Sequence, residues 1–447
     1  MQVSPLGPLG PQPSAQRAPT VSSGQPQESF ESGRPSLVGT ARALLRPEGS
    51  ERWRVKLPFS LSNRPTADPQ GNLYASAGDG TLRRFDPETG KALWTFANEG
   101  GAGHMTDPAF TEDGKVLVVA DMRRVFVLDR ETGLPEHEVA LDHSTLSPPA
   151  PGPNGTLVLF GGDGMFDKDW SIYAVDPRVK PKKSLFSRLI APIALIPHHG
   201  TVHQWEVKVN AQPGMLPIPM TPKGDLHRLV NLPNGLISAT TGDSEVVALN
   251  PTSGQAAWKR ELPGRGFYDP VPVGEDQVMV AGSERLFFLD ARTGETLREQ
   301  PVDGVLFSQP TSDRSGNVFF FTGLDELHVL RQDGKSWTAR GKFETRYSPV
   351  EDDQGNLFVV KAGALYSLNA ETGEENFRLT CPGEVRSAPA LLADGSLAIK
   401  VGSSAREELI ALQNPLQAAL REEDQGGAVQ EGVAWVRIGG VQVKRRG

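Results

Sequence analysis

Apolar residues in this chain come in short stretches of about five, some alternating with polar positions and some wholly apolar, and a turn phrase ends each one. The clearest copy reads Leu82-Arg83-Arg84-Phe85-Asp86-Pro87-Glu88-Thr89-Gly90-Lys91-Ala92-Leu93-Trp94. Period-two alternation predicts a strand. The Asp opens the turn with its side-chain oxygen and the glycine supplies the φ > 0 position, so a second antiparallel strand is expected straight after. The phrase returns at Val125 with Asp129, Thr132 and Gly133, and at Val246 with Asn250, Gly254 and Trp258. It returns again at Leu286 with Asp290, Thr293 and Gly294, and at Leu365 with Asn369, Thr372 and Gly373. Weaker copies begin at Ile172, Leu327 and Leu409, which makes eight.

A second marker lies upstream of the phrase, a proline followed by an Asp/Asn–Gly or Gly–Asn turn. Examples are Pro65 with Gly71, Pro108 with Gly114, Pro149 with Gly155, Pro310 with Gly316, Pro349 with Gly355 and Pro389 with Gly395. Pro310 to Pro349 is 39 residues and Pro349 to Pro389 is 40. Each unit then holds four short strands, A to D, which is one propeller blade. The fourth strands centre on Trp53, Trp94, His137, Trp205, Trp258, Leu297, Trp337 and Phe377. That series is offset: its first member precedes every complete blade and none follows Leu409. Residues 51–57 are therefore expected to supply the outer strand of the last blade and close the ring, which removes the loose ends of an open array. The expected fold is all-β, an eight-bladed β-propeller of four-stranded antiparallel blades over residues 51–415.

The flanks differ. Residues 1–50 are rich in Pro, Ser, Gln and Gly without hydrophobic period and read as a disordered leader. Residues 416–447 read as an acidic linker and a small hairpin around Gly439-Gly440. Glycine (48) and proline (37) are abundant, and the net charge of −8 argues against a broad nucleic-acid footprint. Cys381 is the one cysteine, so no intrachain disulfide is expected. The leader lacks the pattern of a signal peptide and no stretch of about 18 apolar residues occurs, which makes the cytoplasm the default expectation.

The phrase Ala/Leu-x-Asp-x-x-Thr-Gly-x-x-x-Trp, best seen from Phe85 to Trp94 and from Leu249 to Trp258, resembles the tryptophan-docking motif of pyrroloquinoline-quinone (PQQ) type propeller repeats. In that family the tryptophan packs between neighbouring blades, which implies this structural role for Trp94, Trp258 and Trp337. One branch of the family, the quinoprotein dehydrogenases, binds PQQ and calcium on the propeller axis and carries an adjacent cysteine pair, which Cys381 alone cannot form. The other is the non-catalytic BamB-like branch. Resemblance to that branch implies a monomeric scaffold for another protein or peptide, with no cofactor, no metal and no catalytic residue, in the periplasm or cell envelope. The alternatives are a quinoprotein-like enzyme with an axial PQQ and calcium site, and a carbohydrate-binding propeller.

Two stretches break the spacing. His137 to Trp205 is 68 residues and Trp205 to Trp258 is 53. The first excess, about 178–203, replaces the turn between strands C and D of the third blade. The second, about 211–223, is a D–A connection, so the two insertions belong on opposite faces of the disc. The first carries Lys180, Lys182 and Lys183 and then the candidate partner-binding residues Leu185, Phe186, Arg188, Leu189, Ile190, Leu195 and Ile196. An apolar loop of this size either folds back on the disc or meets a partner, and its charge pattern suits an acidic-rimmed groove or an anionic membrane surface. The residues that precede the repeat prolines should open the inner strands and form an axial funnel: Arg64, Asp107, Asp269, Gln309 and Ser348, with Ala388. His198, His199 and His203 are separated by Gly200 from the helical spacing a metal pair needs. Asp163, Asp167 and Asp169 match no standard calcium loop and read as a solvated turn.

Overall fold

The computed structural model of the chain describes most of residues 51–415, leaving out short turns and the stretches 57–63, 99–104, 163–168, 180–201 and 211–227, together with the strands Trp435–Ile438 and Val441–Lys444. Those two strands pair as a hairpin with Ile438 opposite Val441.

Eight four-stranded antiparallel sheets follow one another along the chain. Blades 1 to 7 occupy 66–97, 109–140, 150–210, 230–261, 271–301, 311–340 and 350–380. Blade 8 takes three strands from 390–412 and its outer strand from Glu51–Lys56, which pairs with Arg406–Leu412 and sets Trp53 opposite Ala411. The ring is thus closed by the N-terminal strand, as the offset between the two repeat counts predicts. The protein is an eight-bladed β-propeller.

Burial explains why some strands alternate and others do not. The second strand of blade 2, Lys115–Ala120, sends Val116 and Val118 into a core shared with Tyr74, Leu82 and Trp94 of blade 1. It sends Leu117 and Val119 into another core, shared with Leu157, Leu159 and Tyr173 of blade 3. A strand covered on both faces by neighbouring blades reads as a continuous apolar run. The outer strand Ala92–Ala97 keeps alternation, with only Trp94 and Phe96 buried.

The blades are joined by tryptophans. Each reaches out of the fourth strand of one blade to the C–D turn of the next. The indole Nε1 of Trp53 donates to Pro87 O, and that of Trp94 to Arg130 O, both at 2.9 Å. Trp205 donates to Pro251 O, Trp258 to Ala291 O and Trp337 to Ala370 O, each at 3.0 Å. The ring lies flat on the turn glycine. A Cβ placed on Gly294 would come within 2.6 Å of the Trp258 ring, and one on Gly133 within 2.5 Å of Trp94. With φ of +68° and +69°, these glycines also occupy a region that L-residues avoid.

The turns themselves are tied by their first residue. Asp290 Oδ1 accepts from the amides of Arg292 at 2.9 Å and Thr293 at 2.8 Å, and Asp129 Oδ1 from those of Glu131 and Thr132. Backbone hydrogen bonds, Thr293 and Thr132 first, hold both carboxyls below the usual range. A depressed carboxylate stabilises the fold above its unfolded pKa of about 3.9 and loses that contribution as pH falls through the folded value. Asn250 and Asn369 make the same bonds without a titrating group. The pair of substitutions Asp129→Asn and Asp290→Asn is therefore expected to move the acid-unfolding midpoint, followed by circular dichroism, to lower pH.

Candidate functional site

The residues at the start of several inner strands are joined by hydrogen bonds that run from blade to blade. Ser348 Oγ donates to Gln309 O at 3.0 Å, and Gln309 Nε2 donates to Asp269 O at 2.9 Å. Asp269 N donates back to Gln309 Oε1 at 3.0 Å. Arg228 N donates to Asp269 Oδ1 at 2.9 Å, and its guanidinium reaches Asp107 Oδ2 at 3.0 Å. Arg64 Nε stands 3.8 Å from that same oxygen. Arg64, Asp107, Asp269, Gln309 and Ser348, the residues that the proline marker picks out, thus belong to one polar network, while Ala388 is buried.

Arg228 completes the network and is the residue that the proline rule misses. Blade 4 carries Leu229 where other blades carry proline. The signal that finds it is spacing. Pro65, Pro108, Pro310 and Pro349 each stand six residues before a turn glycine, and so does Leu229 before Gly235. By skipping blade 3, where Pro148 holds the equivalent place, Arg228 links blade 4 to blade 2.

Two cavities adjoin one end of this network, both at Arg64 and the smaller also at Asp107 and Arg228, whereas Asp269, Gln309 and Ser348 line neither. The smaller, about 480 Å³, has Asp107, Pro108, Phe110, Pro148 and Arg228 in its wall. The larger, about 1350 Å³, runs along the inner strands and turns of blades 1, 6, 7 and 8, with Asp313, Glu351, Asp352 and Leu391 among its walls. Both are bounded by Arg64, Thr66, Ala67, Asp68, Pro69 and Arg314.

The apolar insertion is rooted where the repeat counting puts it, between the third and fourth strands of blade 3. Leu185, Phe186, Arg188, Leu189, Ile190, Leu195 and Ile196 lie outside the described residues, as do the second insertion, His198, His199, Asp163 and Asp167. The roots of the first insertion, Val179 and Val202, are 47% and 43% exposed. The strand His203–Asn210 separates the two insertions, so they leave from its opposite ends.

His203 is engaged at the seam between blades 2 and 3, one of those without a docked tryptophan. Its ring stacks on Tyr173 at 4.8 Å, and its Nδ1 lies 3.2 Å from Glu206. His143 Nε2 lies 3.3 Å from the same carboxylate, to which Ser171 Oγ donates at 2.6 Å. The Ser171 bond leads in holding Glu206 below the usual carboxylate range. Among the described residues, no group of three or more His, Cys, Asp or Glu is placed to hold a metal. Cys381 is buried, and burial pushes its thiol up to about 11. No helix among the described residues is long and apolar enough to cross a membrane.

No curated protein matches the sequence. Solved structures share the fold. BamB from Moraxella catarrhalis aligns with a TM-score of 0.58 at 15% identity over 82% of this chain and 99% of its own. The quinohemoprotein alcohol dehydrogenase ADHIIG from Pseudomonas putida aligns at 0.56 and 13% identity, over 81% of this chain and 76% of its own. Sqt1 from Saccharomyces cerevisiae aligns at 0.56 and 12% identity, over 82% of this chain and 100% of its own. The sequence profile of the family described as outer membrane protein assembly factor BamB matches residues 37–178, 242–335 and 330–413, more than half of the chain. With the docking tryptophans and the closed ring, this match means that the chain belongs to the BamB family of PQQ-type propellers.

Proposed function

We propose that the protein is a non-enzymatic scaffold that holds another protein or peptide, and that the insertion at 178–203 is its partner surface. The observation that carries this reading is the exposure of Val179 and Val202 at the two roots of the insertion. Both are apolar side chains left open to solvent where the insertion joins its strands, and variable loops on a rigid scaffold are where binding function concentrates. Leu134, 66% exposed in the C–D turn of blade 2, belongs to the same face. The family description, an assembly factor of outer membrane proteins, supports a protein partner and a place in the cell envelope.

The test is to replace residues 184–199 by a short Gly-Ser bridge. The bridge joins two neighbouring strand ends, so the melting temperature should change by only a few degrees, and capture of partners from an envelope extract of the native host should be lost. Unfolding of the variant would instead make the loop a satellite core of the disc. The dehydrogenase neighbour motivates a second arm. A chromophore retained after incubation with PQQ and Ca²⁺, together with dye-linked alcohol or sugar oxidation, would replace the scaffold reading by the enzyme reading.

A further inference from the structure

The smaller axial cavity holds an unfinished ion cluster. Its wall carries Arg64, Arg228 and Arg314 against Asp68 and Asp107. Asp68 is committed to its own turn, accepting from the amides of Gln70 and Asn72, the Asn72 side chain and the Tyr74 hydroxyl. Asp107 offers one oxygen to two guanidiniums. Arg228 takes it at 3.0 Å, which leaves Arg64 at 3.8 Å with its side chain 49% exposed. The second oxygen of Asp107, whose side chain is 9% exposed, has no hydrogen-bond partner. A guanidinium has five N–H donors to place, and among the described residues Arg64 has only this long contact with Asp107 for its side chain. Arg64 is therefore a cation held at the edge of a cavity with most of its donors unspent. Pro108, Phe110 and Pro148 supply carbon surface beside it. The larger cavity reverses the balance of charge, with Asp313, Glu351 and Asp352 in its walls, so an anion in the channel is drawn to the Arg64 end.

We propose that this cavity is a carboxylate-binding site with Arg64 as its principal contact, and that it takes an acidic side chain of an extended peptide. The planar fork of a guanidinium matches the two oxygens of a carboxylate. The site rests on the scaffold reading only for the peptide as carrier; a free dicarboxylate presents the same chemistry.

The experiment uses the full chain and fluorescence anisotropy at low salt. Labelled hexaglutamate is expected to bind, and labelled hexaglutamine to bind at least about tenfold more weakly, the scale of a lost charged hydrogen bond. Arg64→Gln is expected to weaken hexaglutamate binding by about the same factor, Arg64→Glu to abolish it and Arg64→Lys to restore part of it. Melting temperatures of Arg64→Gln and Arg64→Lys should stay nearly unchanged, because the side chain is half exposed, whereas Arg64→Glu, which sets a second carboxylate beside buried Asp107, is expected to melt lower. Glutarate that displaces the peptide identifies the carboxylate alone as sufficient, and glutarate that fails to do so identifies the peptide as the carrier. Equal binding of the two peptides by the wild-type chain, indifference to Arg64, or no binding of either hexaglutamate or glutarate at millimolar concentration overturns the proposal. So does displacement by inorganic phosphate as effective as by glutarate. Excision of the insertion leaves these results untouched, so failure of the partner surface and failure of the pocket are distinguishable.

Discussion

Deleting residues 1–58 is expected to unfold or severely destabilise the propeller, whereas deleting residues 1–48 leaves its melting temperature nearly unchanged. The longer deletion removes Glu51–Lys56, the outer strand of blade 8. Arg406–Leu412 then becomes an open edge with unpaired backbone groups. The same cut removes Trp53, which is 8% exposed, packs on Gly90 and donates to Pro87 of blade 1. One short strand thus carries both a sheet edge and the seam that joins the last blade to the first. Equal melting curves for the two truncations would contradict closure by this strand.

Trp258→Ala is expected to cost about 3–5 kcal/mol, the range for a buried large aromatic truncated in place. Trp258 is 7% exposed and bonded to Ala291 O across the seam between blades 4 and 5. Gly294→Ala should also destabilise strongly, since its new Cβ meets the Trp258 ring and its φ of +68° disfavours any side chain. The double variant is the sharper test. Once the indole is gone the Cβ has room, so the two costs should fall short of additivity by about 0.5–3 kcal/mol, the range for residues in contact. Leu297→Ala is the control. Leu297 lies on the fourth strand of blade 5, one residue before the tryptophan position, which the register gives to Arg298, opposite Phe288 as Trp258 is opposite Ala248. It is 53% exposed, so the change should stay within about 0.5 kcal/mol. Additive costs at Trp258 and Gly294, or a large loss at Leu297, would contradict docking as the source of seam stability.

The seams show how much of the fold was legible. Trp53, Trp94, Trp205, Trp258 and Trp337 dock on Gly90, Gly133, Gly254, Gly294 and Gly373. The three remaining outer strands carry His137, Arg298 and Phe377 at that position, Arg298 and not Leu297 being the register equivalent in blade 5, and each is followed by a blade without the Thr-Gly turn. Tryptophan and glycine therefore occur together or not at all, one blade apart. The phrase joins the two in one hairpin, whereas the contact is made with the next hairpin. Local turn chemistry and period-two burial act over a few residues, which is why strand order, blade number and the offset that demands closure could all be read.

The candidate site was legible only in part. Arg64, Asp107, Asp269, Gln309 and Ser348 follow from the proline marker, because a rule that repeats along the chain selects the same place in every blade. What those side chains do to one another does not follow from it. Arg228 and Asp107 are 121 residues apart and in blades that are not neighbours. They meet because a closed ring curves its inner strands onto one axis. The sequence by itself determined the repeating unit, its number and its means of closure, since these rest on turns, strand periods and docking residues present in each copy. Only the tertiary structure decided which polar residues face each other across the channel, because pairings between non-adjacent blades depend on the radius and curvature of the whole ring, which no single repeat encodes.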